Sequence, residues 1–168
     1  MDFSKYEICS FDCYGTLIDW ENGIIDSLKP VLSKHGIITE SEKILELYNV
    51  AEAEAESEVY RLYKDIHSMI VTALGKNLEF TPSEEDKEAI CGSIKYWKPF
   101  PDTVDALTKL KSNYKLAVIS NIDDDLFAYS AEELQIEFDH VITAQQVKSY
   151  KPSLHNFHEA IKKTDFKR

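Results

Sequence analysis

The stretch Tyr6–Trp20, "YEICSFDCYGTLIDW", decides how the rest of the chain is read. Its first part, residues 6–11, is a short apolar-leaning run that reads as a strand. Asp12 closes that run, and a turn at Gly15-Thr16 precedes a second apolar start. A carboxylate in this place is a candidate reactive group, because functional groups of open parallel sheets gather at the carboxyl ends of the strands. Whether such a sheet exists depends on the pattern of residues 20–168.

The period changes twice along the chain. From Trp20 to about Trp97 the pattern is helical. "NGIIDSLKPVLSKHG", residues 22–36, has helical apolar spacing, with Pro30 as a kink or break and Gly36 as the stop. Residues 39–74 read as one helical run, opened by a capping box from Thr39 to Glu42 and closed at Gly75. "TPSEEDKEAICGSIKYW", residues 81–97, opens with Pro82 and acidic residues that suit a helix N-terminus. After Pro99 and Pro101 the pattern alternates. A helix turns Val104, Leu107 and Leu110 inward, and "KLAVIS" is a compact apolar strand. A helix from about Asp124 to Leu134, the strand-like "FDHVITA" and a last helix near 153–163 complete the chain. Such alternation indicates a parallel sheet covered by helices. The expected class is α/β: a Rossmann-like parallel sheet core over residues 1–17 and 99–168, with a helical cap domain inserted at 18–98.

Composition narrows the partners. The 168 residues include 43% hydrophobic side chains, enough for one ordinary core with an insertion, and carry a formal charge of −11. That charge argues against nucleic acid and anionic membranes, while a small anionic substrate needs only a local positive pocket. Cys9, Cys13 and Cys91 are odd in number and irregularly spaced, which suits a reduced, cytoplasmic compartment. The N-terminus shows neither a basic n-region nor a long apolar h-region.

Three groups fall at the carboxyl ends of expected strands: Asp12 after the first, Ser120-Asn121 after the second, and Lys151 beyond the third, within "VKSYKPS". A carboxylate, a hydroxyl and an ammonium converging on one crevice make a nucleophile site. The carboxylate attacks, the lysine holds it charged and the hydroxyl orients the substrate. "DCYGTL", "AVISNID" and "VKSYKPS", in this order and with a helical insertion after the first, resemble the three leading motifs of the haloacid dehalogenase superfamily. The wider phrasing, including "FDCYGTLIDW", "PFPDTVDAL" and "YKPSLHNF", is similar to its type II, or (S)-2-haloacid, dehalogenases.

The resemblance implies Asp12 as nucleophile, with Lys151 and Ser120 as catalytic partners and Thr16, Tyr14, Asn121 and Arg61 facing substrate. Tyr14 stands where the superfamily's phosphatases carry a second aspartate. That acid protonates a leaving alkoxide, whereas halide leaves without a proton. The change also removes negative charge beside Asp12, so Mg²⁺ is less needed. The resemblance therefore implies C–X displacement with no cofactor. Two other readings stand beside it: a phosphatase of the same superfamily working with Mg²⁺, and a silent truncated paralogue acting as a binding or assembly module.

The chain departs from the family pattern in two places. No arginine follows the first motif closely, so Arg61 is the substitute for the family's cap arginine; its plain reading is a helix-surface pair with Glu58 or Asp65. The fourth motif and its strand do not follow Lys151, so the C-terminal strands are expected to be missing. In this family the strand of residues 6–11 would then form an exposed edge that favours homo-oligomer formation. Asp123-Asp124-Asp125 reads more simply as an acidic helix start than as a metal site, and His155 with His158 lack a third ligand. Cys13 reads as a small buried filler.

Overall fold

The computed structural model describes residues 5–57 and 59–165. Strand β1 is Ile8–Phe11. Helices α1 (Trp20–Lys34), α2 (Ser41–Glu56), α3 (Tyr63–Asn77), α4 (Glu84–Ser93) and α5 (Thr103–Lys111) precede β2, Lys115–Ser120. Helix α6 (Asp124–Leu134) leads to β3, His140–Thr143, and α7 (Ala144–Val147) and α8 (Leu154–Thr164) follow. The chain divides into two compact units, residues 1–19 with 98–168 and residues 20–97. No helix among the described residues is long and apolar enough to cross a membrane.

In the first unit the strands form one parallel sheet in the order β1-β2-β3. Ile8 lies beside Lys115 and Phe11 beside Val118, while Ser120 lies beside Thr143. This register brings the ends of β2 and β3 level, with the end of β1 close by. Central β2 buries Leu116, Ala117 and Val118, as a near-continuous apolar strand should. Helix α8 covers the face of Ala117 and Ile119, where Ile142, Val147 and Ala160 form a core cluster. Leu110 of α5 shares a hollow with Cys9. Strand β1 is the sheet edge, and among the described residues nothing pairs with its outer side. A groove lined by Ile8, Ser10, Phe157 and Ile161 runs along it.

The second unit is helical, and three expectations need correction there. The run 39–74 is not one helix: α2 ends at Glu56 and α3 begins at Tyr63. The break has a physical reason in Glu52, which accepts a hydrogen bond from the Tyr63 hydroxyl at 2.5 Å. A continuous helix would hold two residues eleven positions apart about 17 Å from each other along its axis. The capping box at Thr39 does not form. Glu40 is the N-cap of α2 and makes no side-chain cap bond, whereas a reciprocal box does form at Ser83 and Asp86 at the start of α4.

Gly75 does not stop its helix, which continues to Asn77. Its role is close approach: a Cβ there would lie 2.7 Å from the Phe80 carbonyl oxygen and from Pro82 Cδ. Helix α1 runs through Pro30 and ends before Gly36, whose φ of 74° is readily adopted by glycine. Its Ile24, Leu28 and Leu32 are buried, each worth about 1.5–3 kcal/mol of transfer free energy.

A polar network crosses this helical core. Tyr48 and Tyr63 both donate to Glu52 Oε1, at 2.9 and 2.5 Å. With Glu52 ionised, each phenol's only proton is committed to the carboxylate. His67 Nε2 must then donate to the Tyr48 oxygen, 3.1 Å away. That assigns the tautomer from the network and leaves Nδ1 to accept the Cys91 thiol proton at 3.1 Å. His67 is completely buried, and burial pulls its pKa from 6.5 down to about 3.

Candidate active site

Gly15 shapes the turn after β1. With φ at 91°, it occupies a conformation that costs glycine little. The Cys13 carbonyl oxygen accepts hydrogen bonds from the backbone of Thr16, Leu17 and Ile18 at 3.2, 2.7 and 3.0 Å. Cys13, Leu17 and Ile18 are buried beneath the turn, leaving Asp12 and Thr16 exposed above them. The apolar and polar positions of this stretch therefore separate into an anchor and a presenting surface.

Lys151 meets that surface. Its Nζ donates to Asp12 Oδ1 at 2.5 Å and to the Ile119 carbonyl oxygen at 2.7 Å. The Asp12 side chain is 45% exposed and that of Lys151 20%, so the pair has an open side. The contact takes one of the two carboxylate oxygens. Ser120, the last residue of β2, is buried, and its Oγ has no hydrogen-bond partner among the described residues. A buried hydroxyl left unpaired costs about 1–3 kcal/mol. Such a cost at a strand's carboxyl end is understandable if a ligand supplies the partner.

Asn121 comes next, and its amide is turned onto the main chain of Lys151: Lys151 N–H donates to Oδ1 at 2.7 Å, and Nδ2 donates to the Lys151 carbonyl at 3.1 Å. Tyr14 lies half-buried and shares a 2.8 Å hydrogen bond with Ser130 of α6. Loss of water around its hydroxyl, more than the nearby Cys13 and Asp12, pushes the phenol well above its ordinary range. Tyr14 therefore stays neutral. Burial first, and then the Asp12 charge, likewise push the Cys13 thiol up.

The structure thus brings Asp12, Lys151, Ser120 and Asn121 to one sheet end, with Thr16 and Tyr14 on the adjoining turn. Arg61 lies in the link between α2 and α3, in the helical unit. It has interaction partners of its own, and the Glu58 considered as its partner is outside the described residues. Asp124 is engaged within the protein, accepting from Thr143 Oγ1 at 2.6 Å and Gln146 Nε2 at 2.7 Å. Among the described residues no three His, Cys, Asp or Glu side chains gather as a metal cluster.

Three contacts were not foreseen from the sequence, the pairing of Asn121 with the Lys151 main chain among them. Ser130 sits on the buried stripe of α6 with Leu126, Phe127 and Leu134; a small polar residue on an apolar stripe was the available signal. The Ile119 carbonyl carries no side-chain signal at all.

Comparison with known proteins points the same way. A model of the haloacid dehalogenase-like hydrolase family matches residues 10–168. The (S)-2-haloacid dehalogenase 4A of Burkholderia cepacia is 28% identical over 150 residues, covering 86% of this chain and 63% of that one. This chain thus spans less than two thirds of that relative's length. An L-2-haloacid dehalogenase crystal structure superposes with a TM-score of 0.80 at 23% identity, over 96% of this chain and 71% of that one. The L-2-haloacid dehalogenase of Xanthobacter autotrophicus gives 0.80 at 19% identity, over 96% and 66%. These likenesses show a shared fold, and the sheet with its three ordered motifs now has its place: the chain belongs to the haloacid dehalogenase-like hydrolase family.

Proposed function

We propose that this hydrolase displaces halide from 2-haloacids through an ester on Asp12. The observation that carries the reading is the Asp12–Lys151 contact beside a neutral Tyr14. Asp12 has its ammonium partner and an open side. The residue two positions on offers no carboxylate to protonate an alkoxide. That arrangement suits a leaving group that needs no proton.

In this reading an Asp12 carboxylate oxygen attacks C2 of the substrate, the C–X bond breaks and halide departs with its electron pair. Water then adds to the aspartyl carbonyl carbon, and the acyl–oxygen bond breaks. A 2-hydroxy acid inverted at C2 is released, and one water oxygen remains in the Asp12 carboxylate. The unpaired Ser120 Oγ is placed to hold the substrate carboxylate, and Lys151 offsets the charge of two carboxylates brought together.

The test is halide release from (S)-2-chloropropionate with and without a chelator, beside p-nitrophenyl phosphate hydrolysis with and without Mg²⁺. Chelator-resistant halide release, with heavy oxygen from labelled water entering the Asp12 peptide, is the expected result. Mg²⁺-dependent phosphate release without halide release would overturn the proposal.

A further inference from the structure

Tyr14 stands two residues after Asp12, and the turn settles only its main chain. Tyr14 bridges Ile18, and Gly15 N–H donates to the Ile18 carbonyl oxygen at 2.9 Å. The side chain keeps two torsions, which decide where the ring and its hydroxyl lie. The far end of the ring is tied to α6: the hydroxyl meets Ser130 Oγ at 2.8 Å, across 116 positions of sequence. Whichever partner supplies the proton, the phenol oxygen is held there.

Packing gives no reason for a serine at position 130. It is 1% exposed, on the buried stripe of α6 with Leu126, Phe127 and Leu134. Alanine would suit that stripe and the helix better, and a buried hydroxyl is costly when left unpaired. The Tyr14 contact offsets that cost. After burial and Cys13, the charge of Asp12 also acts on the phenol, so whatever fixes Tyr14 fixes part of the surroundings of the Asp12 carboxylate.

We infer that Ser130 is a positioning residue for Tyr14 and, through it, sets the preference among 2-haloacids of different size. The inference deepens the reading of Asp12 as the nucleophile of halide displacement and rests on it. A ring held at both ends gives the space beside the carboxylate a fixed boundary. A ring held only at its main chain lets that boundary shift, and chlorine and bromine differ in size.

The test compares (S)-2-chloropropionate with (S)-2-bromopropionate in the wild type, Ser130→Ala, Tyr14→Phe and the double variant. Ser130→Ala should change the ratio of the two kcat/KM values by at least about threefold, and Tyr14→Phe should change it in the same direction, since each removes the tie. The double variant should match Tyr14→Phe, because the serine acts through the phenol. Ser130→Thr keeps a hydroxyl and should restore the wild-type ratio. A merely structural role would scale both substrates alike, and its effect would add to that of Tyr14→Phe.

The contact can also be read without turnover, by fluorine NMR of protein carrying 3-fluorotyrosine at its nine tyrosines. Tyr14→Phe assigns the Tyr14 signal by its loss. Ser130→Ala should move that signal further than the signal of Tyr129, the exposed neighbour on α6.

An unchanged substrate ratio in a folded Ser130→Ala would overturn the inference. So would a change that Ser130→Ala produces again on the Tyr14→Phe background. If Ser130→Ala does not fold, Ser130→Cys takes its place, since a thiol is only a weak donor and acceptor, and the same change of ratio is required. A wild type that releases no halide, with a Tyr14 signal that moves in Ser130→Ala, overturns the proposed reaction and leaves the positioning of Tyr14 standing.

Discussion

Asp12 faces an ammonium in an exposed turn, whereas Glu52 faces two phenols inside the helical unit. Both carboxylates accept a hydrogen bond of 2.5 Å, so bond length does not distinguish them. What differs is the sign of the partner and access to water. Lys151 balances the charge of Asp12, and the turn leaves the side chain partly open. Glu52 receives only neutral donors, and burial raises its pKa against the lowering effect of Tyr63 and Tyr48. A carboxylate given a cation and an open side stays reachable from solvent. One given two phenols and only a partly open side ties α2 to α3.

The sharpest way to break this contrast is to remove each carboxylate. Asp12→Asn should reduce halide release by at least about a thousandfold, and the melting temperature should stay within a degree or two of wild type. A large loss of stability would make Asp12 a structural residue instead. Glu52→Ala should do the reverse. It leaves two phenol hydroxyls without their acceptor, and the unfolding free energy should fall by about 2–4 kcal/mol, read from denaturant titration. Glu52→Gln keeps an acceptor oxygen and should recover part of that loss.

Packing in the helical unit offers a smaller effect with a purely steric cause. A Cβ on Gly23 of α1 would lie 2.5 Å from the Trp97 ring, and Trp97 is 5% exposed with its Nε1 donating to Ser93 Oγ at 2.9 Å. Gly23→Ala should therefore cost about 1–3 kcal/mol by overpacking, despite alanine's better helix propensity. A stabilised Gly23→Ala protein would show that Trp97 has room to move.

The gentlest probe is pH. His67 is neutral in the fold, with a pKa of about 3, against 6.5 when free. Between those values the unfolded chain binds the extra proton, so stability is complete above about pH 6.5 and falls as the pH drops toward 3. The slope from this one group is at most about 1.4 kcal/mol per pH unit. Glu52 acts in the opposite sense, because its raised pKa makes the folded protein take up a proton first. His67→Gln removes the imidazole titration and keeps a donor for Tyr48. Its stability should vary less steeply with pH over this window than that of the wild type. Parallel slopes would exclude His67 as the source.

Much of the candidate-site end was legible in the residues themselves. "KLAVIS" is β2 to the residue, and Asp124–Leu134 is α6 to the residue. These runs are short, strongly patterned and bounded by turn formers, so local preference and tertiary packing agree. Asp12, Ser120 and Lys151 could be selected as a group because a parallel sheet collects the ends of its strands. The helical unit was less legible. The alanine-glutamate run through Glu56 continues a helical pattern into Tyr63, and the break between α2 and α3 is favoured by Tyr63 of α3 reaching Glu52 of α2.

The sequence alone determined the α/β class, the order of the three strands and the chemical types available at the sheet end. Those arise from hydrophobic period and turn chemistry, which act over a few residues. Only the tertiary structure decided which partners those groups take: Ser130 for Tyr14, the Lys151 main chain for Asn121, the Ile119 carbonyl for the Lys151 ammonium and Glu52 for two phenols. A hydrogen bond depends on positions within a few tenths of an ångström. Residues distant in sequence reach such positions only when the whole unit is packed.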